Sequence, residues 1–224
     1  MHNRGHEDVT GPVAQPTSPS ILDDVERYYA SRLAEHGATP QGVDWNGDES
    51  QLLRFRQFLK LLPEDGQVSI NDIGCGYGAL LPFLHAERGS VDYHGCDISP
   101  AMIEAARQLH GDQPAARFAV EDTPSRIADY GFASGIFNVR LDRGDAAWHD
   151  YMVEVLDAID RTSRLGFAFN CLTSYSDPHR MRSHLYYADP GATFDLCKRR
   201  YARNVALLHD YGLYEFTILI RKDP

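Results

Sequence analysis

Three glycines stand at every second position in the segment INDIGCGYGALL, which spans residues 70–81. A tight turn from a strand into a helix needs backbone angles that a Cβ forbids, and a ligand pressed against main chain needs the side chain to be absent. Gly74, Gly76 and Gly78 meet both needs, and Asp72 adds a carboxylate at the end of the preceding strand. The pattern therefore predicts a small-molecule site built on backbone, although a glycine-rich turn without a ligand would use the same residues.

Two classes of nucleotide fit this loop. Gly74, Gly76 and Ala79 satisfy the G-x-G-x-x-G/A fingerprint of dinucleotide binding. Asp72 would repel a pyrophosphate, however, whereas it would attract an amine or another cation. A second acid, Asp97, follows about twenty residues later at a strand end, where a carboxylate can accept hydrogen bonds from both hydroxyls of a ribose. Asp97 suits either class, while Asp72 favours a ligand that carries a positive charge.

The elements that position these residues follow from the hydrophobic pattern. Strands and helices alternate from residue 68 onward, which is typical of a parallel sheet covered by helices on both faces. The last two strands are separated by only DYGL, which is too short for a parallel crossover, so they should form an antiparallel hairpin. Such a hairpin is foreign to ordinary dinucleotide-binding domains. The predicted strands are 68–73, 91–97, 116–120, 132–137, 165–172, 205–209 and 214–220, and the predicted helices between them are 79–87, 100–110 and 146–162, with a short turn after residue 123.

Two further helices are predicted ahead of the first strand. Ser20 and Asp23 have the capping-box spacing, an apolar stripe follows them, and Gly37 ends the helix. A second helix runs from a cap at Asp48 to a stop at Pro63. The fold class is therefore α/β: a seven-stranded, mostly parallel, Rossmann-like sheet with a C-terminal antiparallel hairpin and an N-terminal helical cap. The predicted organisation is a disordered tail over 1–20 and one domain over 21–224, divided into a cap over 21–66 and a core over 67–224.

Composition limits the classes of partner. The chain has 224 residues, 43% of them hydrophobic, and a net charge of −10, which is typical of one globular domain. Binding to nucleic acid needs clustered Lys and Arg, and the most basic stretch, CKRRYAR around Arg199, is short and typical of a solvated helix face. Four cysteines and ten histidines are scattered without metal-ligand spacing.

The same reasoning predicts the location of the protein. The sequence shows neither a signal peptide nor an apolar run long enough to cross a bilayer. We therefore expect a cytoplasmic protein, a monomer or a homodimer, with a small-molecule partner and with no membrane, nucleic-acid or metal partner.

The sequence resembles the class I S-adenosylmethionine-dependent methyltransferases. The resemblance covers roughly residues 48–224, and it is carried by the loop DIGCGYG, the strand end GCDIS, the helix PAMIEAAR, the VED after the third strand, and the terminal hairpin. The stretches GVDWNGDESQLLRF, ASGIFNVR, FAFNCLTSYSD and LLHDYGLYEFTILIRK are similar to one bacterial subgroup that is not tied to a substrate.

This resemblance implies S-adenosylmethionine as cofactor and S-adenosylhomocysteine as product. The loop glycines would lie under the homocysteine and the ribose, with Asp72 at the amino end and Asp97 at the ribose diol. Ile98 and Met102 would flank the adenine, and Asp122 would accept from its amino group. Structural alternatives stay open, since Met102 could be ordinary helix core and Asp122 could cap the turn that follows it.

Methyl transfer from a sulfonium is an in-line displacement, in which the enzyme chiefly aligns three atoms and excludes water. In an open parallel sheet the reacting face lies at the carboxyl ends of the strands. Ser134 would leave room there for the methionine arm. Arg54, in the cap, would pair with the methionyl carboxylate, unless it forms a surface salt bridge to Glu49 or Asp48.

The same edge of the sheet supplies residues for the methyl acceptor. Asn138, Tyr175 and Tyr186 are predicted to contact the substrate, although a strand-end turn and surface packing are the structural alternatives. His209 is the predicted general base because its reference pKa near 6.5 suits neutral pH, and Asp210 stands beside it. A structural histidine and a turn at Asp210 are the alternatives.

Three functions are compatible with these residues. The first is methyl transfer to an oxygen or nitrogen of a small metabolite. The second is a non-catalytic module that binds S-adenosylmethionine. The third is a nicotinamide-dependent oxidoreductase that uses the same glycines, which Asp72 and the hairpin disfavour.

Overall fold

The order of the strands places the glycine loop in the middle of the sheet. A computed structural model describes residues 20–45, 47–111, 113 and 115–223. In this part of the chain seven strands form one sheet: β1 (Ser69–Ile73), β2 (Asp92–Asp97), β3 (Ala116–Val120), β4 (Ala128–Ala133), β5 (Ser163–Leu172), β6 (Asn204–Leu208) and β7 (Glu215–Arg221). Their order is β3-β2-β1-β4-β5-β7-β6, so β1, which leads into the loop, lies between β2 and β4.

Strand direction confirms the predicted fold class. β1 pairs in parallel with β2 and β4, and β4 pairs in parallel with β5. β7 is antiparallel to both β5 and β6. The first five strands therefore bring their carboxyl ends to one edge, which we call the carboxyl edge, and β6 also ends there.

Six α-helices surround the sheet in the described residues: α1 (Ile21–His36), α2 (Asp48–Leu59), α3 (Leu80–Arg88), α4 (Pro100–His110), α5 (Asp145–Thr162) and α6 (Pro190–Arg200). The capping box predicted for α1 is confirmed, because Ser20 Oγ accepts from the Asp23 N–H and Asp23 accepts from the Ser20 N–H, and Gly37 ends the helix. Asp48 is the first residue of α2 rather than its cap, which is Gly47. The predicted tail over 1–20 lies outside the described residues except for Ser20.

The prediction for the fourth strand was wrong by several residues. β4 ends at Ala133, whereas the sequence pattern favoured 132–137. Gly135 has φ +80, a conformation that ends a strand, so the apolar residues around it belong to a turn at the carboxyl edge. This turn, rather than a strand, therefore lines a cavity at the carboxyl edge.

The segment after β5 contains a helix whose bounds were not among the predicted elements. This helix, α6, follows the cap residue Asp189 and includes Arg199, in agreement with the helix face expected around that residue. The Asp189 carboxylate accepts a hydrogen bond from the Ala192 N–H, and Pro190 occupies the first helical position.

Two apolar cores lie on the two faces of the sheet. On one face Phe58 of α2 stacks on Phe132 of β4, with ring centroids 5.1 Å apart. On the other face α5 packs through Met152, Leu156 and Ile159 against β4 and β5. α2 and α5 are thereby held on opposite sides of β4 at the carboxyl edge.

Candidate functional site

A cavity of about 680 Å³ opens at the carboxyl edge above the glycine loop. This volume lies within the range of about 300–1,000 Å³ that is typical of small-molecule sites. Its floor is the loop after β1, its walls include the ends of β2 and β4, and residues of α1 and α5 close it from above. Parallel strands that end at one edge, together with two helices, therefore build the site.

The glycine loop presents bare Cα atoms to the cavity. Gly74, Gly76 and Gly78 all have positive φ, at +68, +55 and +80. A Cβ on Gly74 would stand 2.2 Å from Ile136 Cγ2, and one on Gly76 would stand 3.1 Å from Val43 Cγ1. Both the backbone angles and the space above the loop therefore require glycine.

The N–H groups of the loop point into the protein rather than into the cavity. The Gly74 and Cys75 N–H groups donate to the Cys96 carbonyl at 2.8 and 3.0 Å, and the Gly78 N–H donates to the Cys75 carbonyl at 2.9 Å. The Gly76 N–H donates to Asp97 Oδ2 at 2.9 Å. A loop that binds pyrophosphate needs such groups free to face the phosphate oxygens. This one is arranged for a ligand that lies on the Cα surface.

Asp97 is fixed at the rim of the cavity by backbone donors. Besides the Gly76 N–H, the Ser99 N–H donates to Asp97 Oδ1 at 2.9 Å. Burial raises the pKa of this carboxyl above its usual value, and the two N–H donors oppose the rise. Each carboxylate oxygen retains a lone pair for a ligand, so Asp97 can accept from a pair of hydroxyls.

Asp72 is buried where β1 meets the loop. The Tyr93 hydroxyl donates to Asp72 Oδ2 at 2.6 Å. Burial raises the pKa of Asp72 to about 7; the Tyr93 hydrogen bond lowers it, and the nearby Asp97 charge raises it. A carboxyl held near half-protonation at neutral pH would ionise fully opposite a ligand cation.

A second group of residues surrounds Asp97 on the other side. Ile98, Met102 and Asp122 all line the cavity, and Met102 is almost completely buried. Tyr151 of α5 faces them, and burial raises its pKa to about 12, with smaller contributions from the Asp122 and Asp97 charges. This part of the cavity combines apolar side chains with an acceptor, which suits a flat base.

The turn after β4 supplies the opposite end of the cavity. Ser134, Gly135 and Ile136 line it, and Ser134 Oγ is buried without a hydrogen-bond partner in the described part of the chain. Trp45 lies against Gly135, since a Cβ there would stand 2.4 Å from two atoms of the indole. The end of the cavity near Ser134 is therefore narrow, and its wall is aromatic.

Comparison with known proteins identifies the family. The family model described as "Methyltransferase domain" matches residues 71–164. The chain is 58% identical over 154 residues to "Putative methyltransferase Rv1506c" of Mycobacterium tuberculosis, a match that covers 69% of this chain and 93% of that protein. The chain belongs to the class I S-adenosylmethionine-dependent methyltransferases.

Solved structures of other methyltransferases share the fold. The N-methyltransferase NodS from Bradyrhizobium japonicum WM9, in complex with S-adenosylhomocysteine, matches with a TM-score of 0.63 and 16% identity, over 90% of this chain and 100% of that one. A DhpI–S-adenosylhomocysteine complex matches with a TM-score of 0.60 and 18% identity, over 93% of this chain and 100% of that one.

Most of the cofactor residues predicted for this methyltransferase do line one cavity. They are Asp72, Gly74, Gly76, Asp97, Ile98, Met102, Asp122 and Ser134. Gly78 lies one turn further on, and a Cβ there would meet Phe118 and His110 at 2.8 and 2.9 Å, so it serves packing beneath the loop.

Arg54 is placed differently from either interpretation of the sequence. It pairs with Glu215 rather than with Glu49 or Asp48, and Arg54 Nε lies 2.7 Å from Glu215 Oε2. Both side chains are buried and Arg54 does not line the cavity, although Trp45 and Gln51 beside it do. Arg54 Nη1 is buried and makes no hydrogen bond within the described residues.

The predicted substrate residues do not line the cavity. Asn138 is buried, and its Oδ1 accepts from the Leu172 N–H at 3.2 Å, which ties the turn after β4 to β5. The Asn138 carbonyl accepts from the Tyr186 N–H at 2.8 Å, and Tyr186 packs on the core. Tyr175 is 74% exposed. Asn138 and Tyr186 thus make contacts that hold the segments after β4 and β5 together, and Tyr175 lies on the surface.

His209 and Asp210, the predicted catalytic pair, are exposed and lie apart from the cavity lining. They follow β6, which is at the edge of the sheet and three strands away from β4. With about 4.8 Å between neighbouring strands, the end of β6 lies about 14 Å from the end of β4. The sequence correctly places His209 at the carboxyl edge, but strand order places it three strands from β4 and outside the cavity lining.

Two tyrosines of the site were not predicted. Tyr29 of α1 and Tyr151 of α5 both line the cavity. Tyr29 belongs to the apolar stripe predicted for α1, and this pattern cannot distinguish a face that packs on a core from one that covers a ligand site. In the described residues, no group of three or more His, Cys, Asp or Glu side chains is arranged to hold a metal ion, and no helix is long and apolar enough to span a membrane.

The buried carboxyl of Asp72 leads to a prediction for the ligand-free protein. We expect Asp72 to titrate near pH 7 in ¹³C carboxyl NMR spectra, because burial disfavours the charged form. Tyr93→Phe should raise this pKa further, since it removes a donor to the carboxylate. The Asp72→Asn variant should lose the titration and thereby assign it, and a transition below pH 5 for Asp72 would contradict the prediction.

Proposed function

We propose that this methyltransferase binds S-adenosylmethionine on the glycine loop and transfers its methyl group to an oxygen or nitrogen of a small molecule. The observation that carries the proposal is the form of the loop. The Cα atoms of Gly74 and Gly76 face a cavity between two carboxylates, while the N–H groups that a pyrophosphate would need are bonded inside the protein. This arrangement suits a cationic nucleoside and disfavours a nicotinamide dinucleotide.

The chemistry of the side chains that line the cavity supports this position for the methyl donor, S-adenosylmethionine. Asp97 would accept from both ribose hydroxyls, with its free lone pairs toward the ligand. Asp72 would face the ammonium group, whose charge would keep the carboxylate ionised. Ile98 and Met102 would flank the adenine, and Asp122 would accept from its amino group.

The methionine arm would extend from Asp72 towards Ser134. The unpartnered Ser134 Oγ offers a hydrogen bond at this end of the cavity. A buried polar group without a partner is costly, and a bound ligand would remove that cost. Arg54 does not line the cavity, so its predicted pairing with the methionyl carboxylate is not part of this proposal.

The reaction needs alignment more than it needs acid or base. The methyl carbon leaves the sulfonium sulfur, which keeps the bonding pair and becomes a neutral thioether, while a lone pair on the acceptor forms the new bond. A hydroxyl acceptor gives up its proton as it is methylated, and a neutral amine acceptor becomes an ammonium that then loses one; in each case the proton goes to water or to a carboxylate of the cavity. In this proposal the protein acts chiefly by holding the reactants in line and excluding water.

A small acceptor is supported by the shape and charge of the site. Residues of α1, including Leu22, Val25 and Tyr29, line the cavity, and its volume of about 680 Å³ suits a small molecule. The net charge of −10 disfavours a nucleic-acid substrate, because phosphate binding depends on basic residues.

Isothermal titration tests the proposal directly. S-adenosylhomocysteine should bind the purified protein with one site per chain, whereas a nicotinamide dinucleotide should show no heat of binding at the same concentrations. Binding of the dinucleotide alone would overturn the proposed function.

Asp97→Ala should weaken the binding of S-adenosylhomocysteine by about 1.5–3 kcal/mol, because charge-assisted hydrogen bonds to the ribose are lost. The matched control is Asp92→Ala, a change at the opposite end of the same strand, where the carboxylate is exposed and pairs with Arg126. We expect unchanged affinity for the control, and equal affinities for both variants would contradict the assignment of the ribose.

Gly76→Val should abolish binding of S-adenosylhomocysteine, because its side chain would occupy the space between the loop and Val43. The substitution also strains a backbone with φ +55, so Gly89→Val serves as control. Gly89 has φ +74 and no atom within 4 Å of the position that a Cβ would take, so it shares the strain without the crowding. The two variants should lose similar thermal stability, and retained binding by Gly76→Val would mean that the ligand lies elsewhere.

A further inference from the structure

A closed ring of contacts lies behind the Ser134 end of the cavity. It joins five residues from five segments of the chain, and we call it the Trp45 ring: Trp45, Arg54, Gly135, Asn170 and Glu215. Arg54 Nε donates to Glu215 Oε2 at 2.7 Å, and Arg54 Nη2 donates to Glu215 Oε1. Asn170 Nδ2 donates to Glu215 Oε2 at 2.5 Å, and Asn170 Oδ1 accepts from the Gly135 N–H at 2.9 Å.

Trp45 completes the ring by touching both of its ends. The guanidinium carbon of Arg54 lies 3.8 Å from the centroid of the Trp45 ring, a cation–π contact. The outer edge of the indole presses on Gly135, where even a Cβ would stand 2.4 Å from it. Arg54 therefore contacts one face of Trp45, and Gly135 contacts one edge. Trp45 also lines the cavity.

The charges of the ring are almost fully buried. Arg54, Asn170 and Glu215 are 4%, 0% and 3% exposed. A buried ion pair adds little net stability, because desolvation offsets its attraction, and its best-supported benefit is a unique geometry. In this protein the geometry that it determines is the position of one aromatic wall.

We propose that Trp45 is the surface on which the methyl acceptor lies, that the buried charges of the ring hold it there, and that the acceptor is a flat molecule without negative charge. This inference rests on the proposed function, which assigns the donor methyl to the Ser134 end of the cavity. Apolar side chains line the cavity as well, among them Val43 and Phe55. A planar acceptor stacked on the indole would have its nucleophile beside the methyl group.

The charge of the lining determines the class of acceptor. Six acidic side chains line the cavity, whereas Arg161 is the one basic residue among the described residues that line it. Arg54 is paired with Glu215 and does not line the cavity. A carboxylate or phosphate on the acceptor would therefore meet six acids and one cation, Arg161 near the C-terminal end of α5. The acidic lining residues are Asp72, Asp97, Glu121, Asp122, Asp150 and Glu154.

A pair of probes tests the class of acceptor. In isothermal titrations of protein saturated with S-adenosylhomocysteine, 2-naphthol should bind at least tenfold more tightly than 2-naphthoate, which has the same rings and a negative charge. Trp45→Leu should weaken binding of 2-naphthol at least tenfold, and Trp45→Phe should restore part of it. Tyr214→Leu, which removes an exposed aromatic ring at the same edge of the sheet, is the control and should change nothing.

The same titrations separate the possible failures. If S-adenosylhomocysteine does not bind to the wild-type protein, the proposed function fails. If it binds while 2-naphthoate binds as well as 2-naphthol, while neither probe binds, or while Trp45→Leu leaves 2-naphthol binding unchanged, only the inference about the acceptor is overturned.

The ring itself is tested by Glu215→Gln, which removes the charge opposite Arg54. In a Trp148→Phe background Trp45 is the sole tryptophan, so its emission reports on its surroundings. We expect a red shift of the emission and at least a tenfold loss of 2-naphthol binding. The matched control is Asp129→Asn, whose carboxylate accepts from the Ser69 N–H at the other edge of the sheet and should leave both readouts unchanged.

Gly135→Ala tests the ring without removing a charge, and it decides the question if the Glu215→Gln variant does not fold. The added methyl group must displace the indole, so emission and 2-naphthol binding should change as above. Gly89→Ala controls for the strain of a positive φ. Unchanged emission and binding in Gly135→Ala would overturn the role of the ring.

Discussion

The backbone of the glycine loop is bonded to the end of β2, and the cavity depends on this attachment. The Cys96 carbonyl accepts from the N–H groups of Gly74 and Cys75, and Asp97 accepts from that of Gly76. These bonds are possible because β1 and β2 are parallel neighbours whose ends meet at one edge. They turn the N–H groups inward and the Cα atoms outward, so the loop presents a smooth surface on which a nucleoside can lie.

The attachment also buries two carboxylates, those of Asp72 and Asp97, near each other. Asp72 and Asp97 both have raised pKa values, and burial is the main cause for each. In the ligand-free protein the burial of these two carboxylates costs free energy. Hydrogen bonds from the Tyr93 hydroxyl and from backbone N–H groups reduce that cost. A cationic ligand with a ribose diol would use both groups, so the electrostatics of the cavity are complementary to the methyl donor that the family uses.

The sequence alone predicts the glycine loop and its acids because the residues that shape the turn and those that would contact a ligand are close neighbours along the chain. The glycines, Asp72 and Asp97 lie within one strand–helix–strand unit, whose geometry is largely determined by its own residues. The fourth strand was misplaced because the turn at Gly135 lies in an apolar stretch, and apolar runs look alike in strands and in turns that pack beneath a helix. The pairing of Arg54 with Glu215 joins positions 161 residues apart, for which no local pattern exists.

By itself, therefore, the amino-acid sequence determined the fold class, the glycine loop and the acids at its two ends, since each depends on neighbours along the chain. Only the tertiary structure decided which residues of the carboxyl edge reach the cavity. In the structure His209 follows the outermost strand, and Asn138 is buried, where it links the turn after β4 to β5. Trp45 lies beside the turn after β4. The physical reason is that strand order and the packing of long-range ion pairs set distances across the sheet, and these do not follow from spacing along the chain.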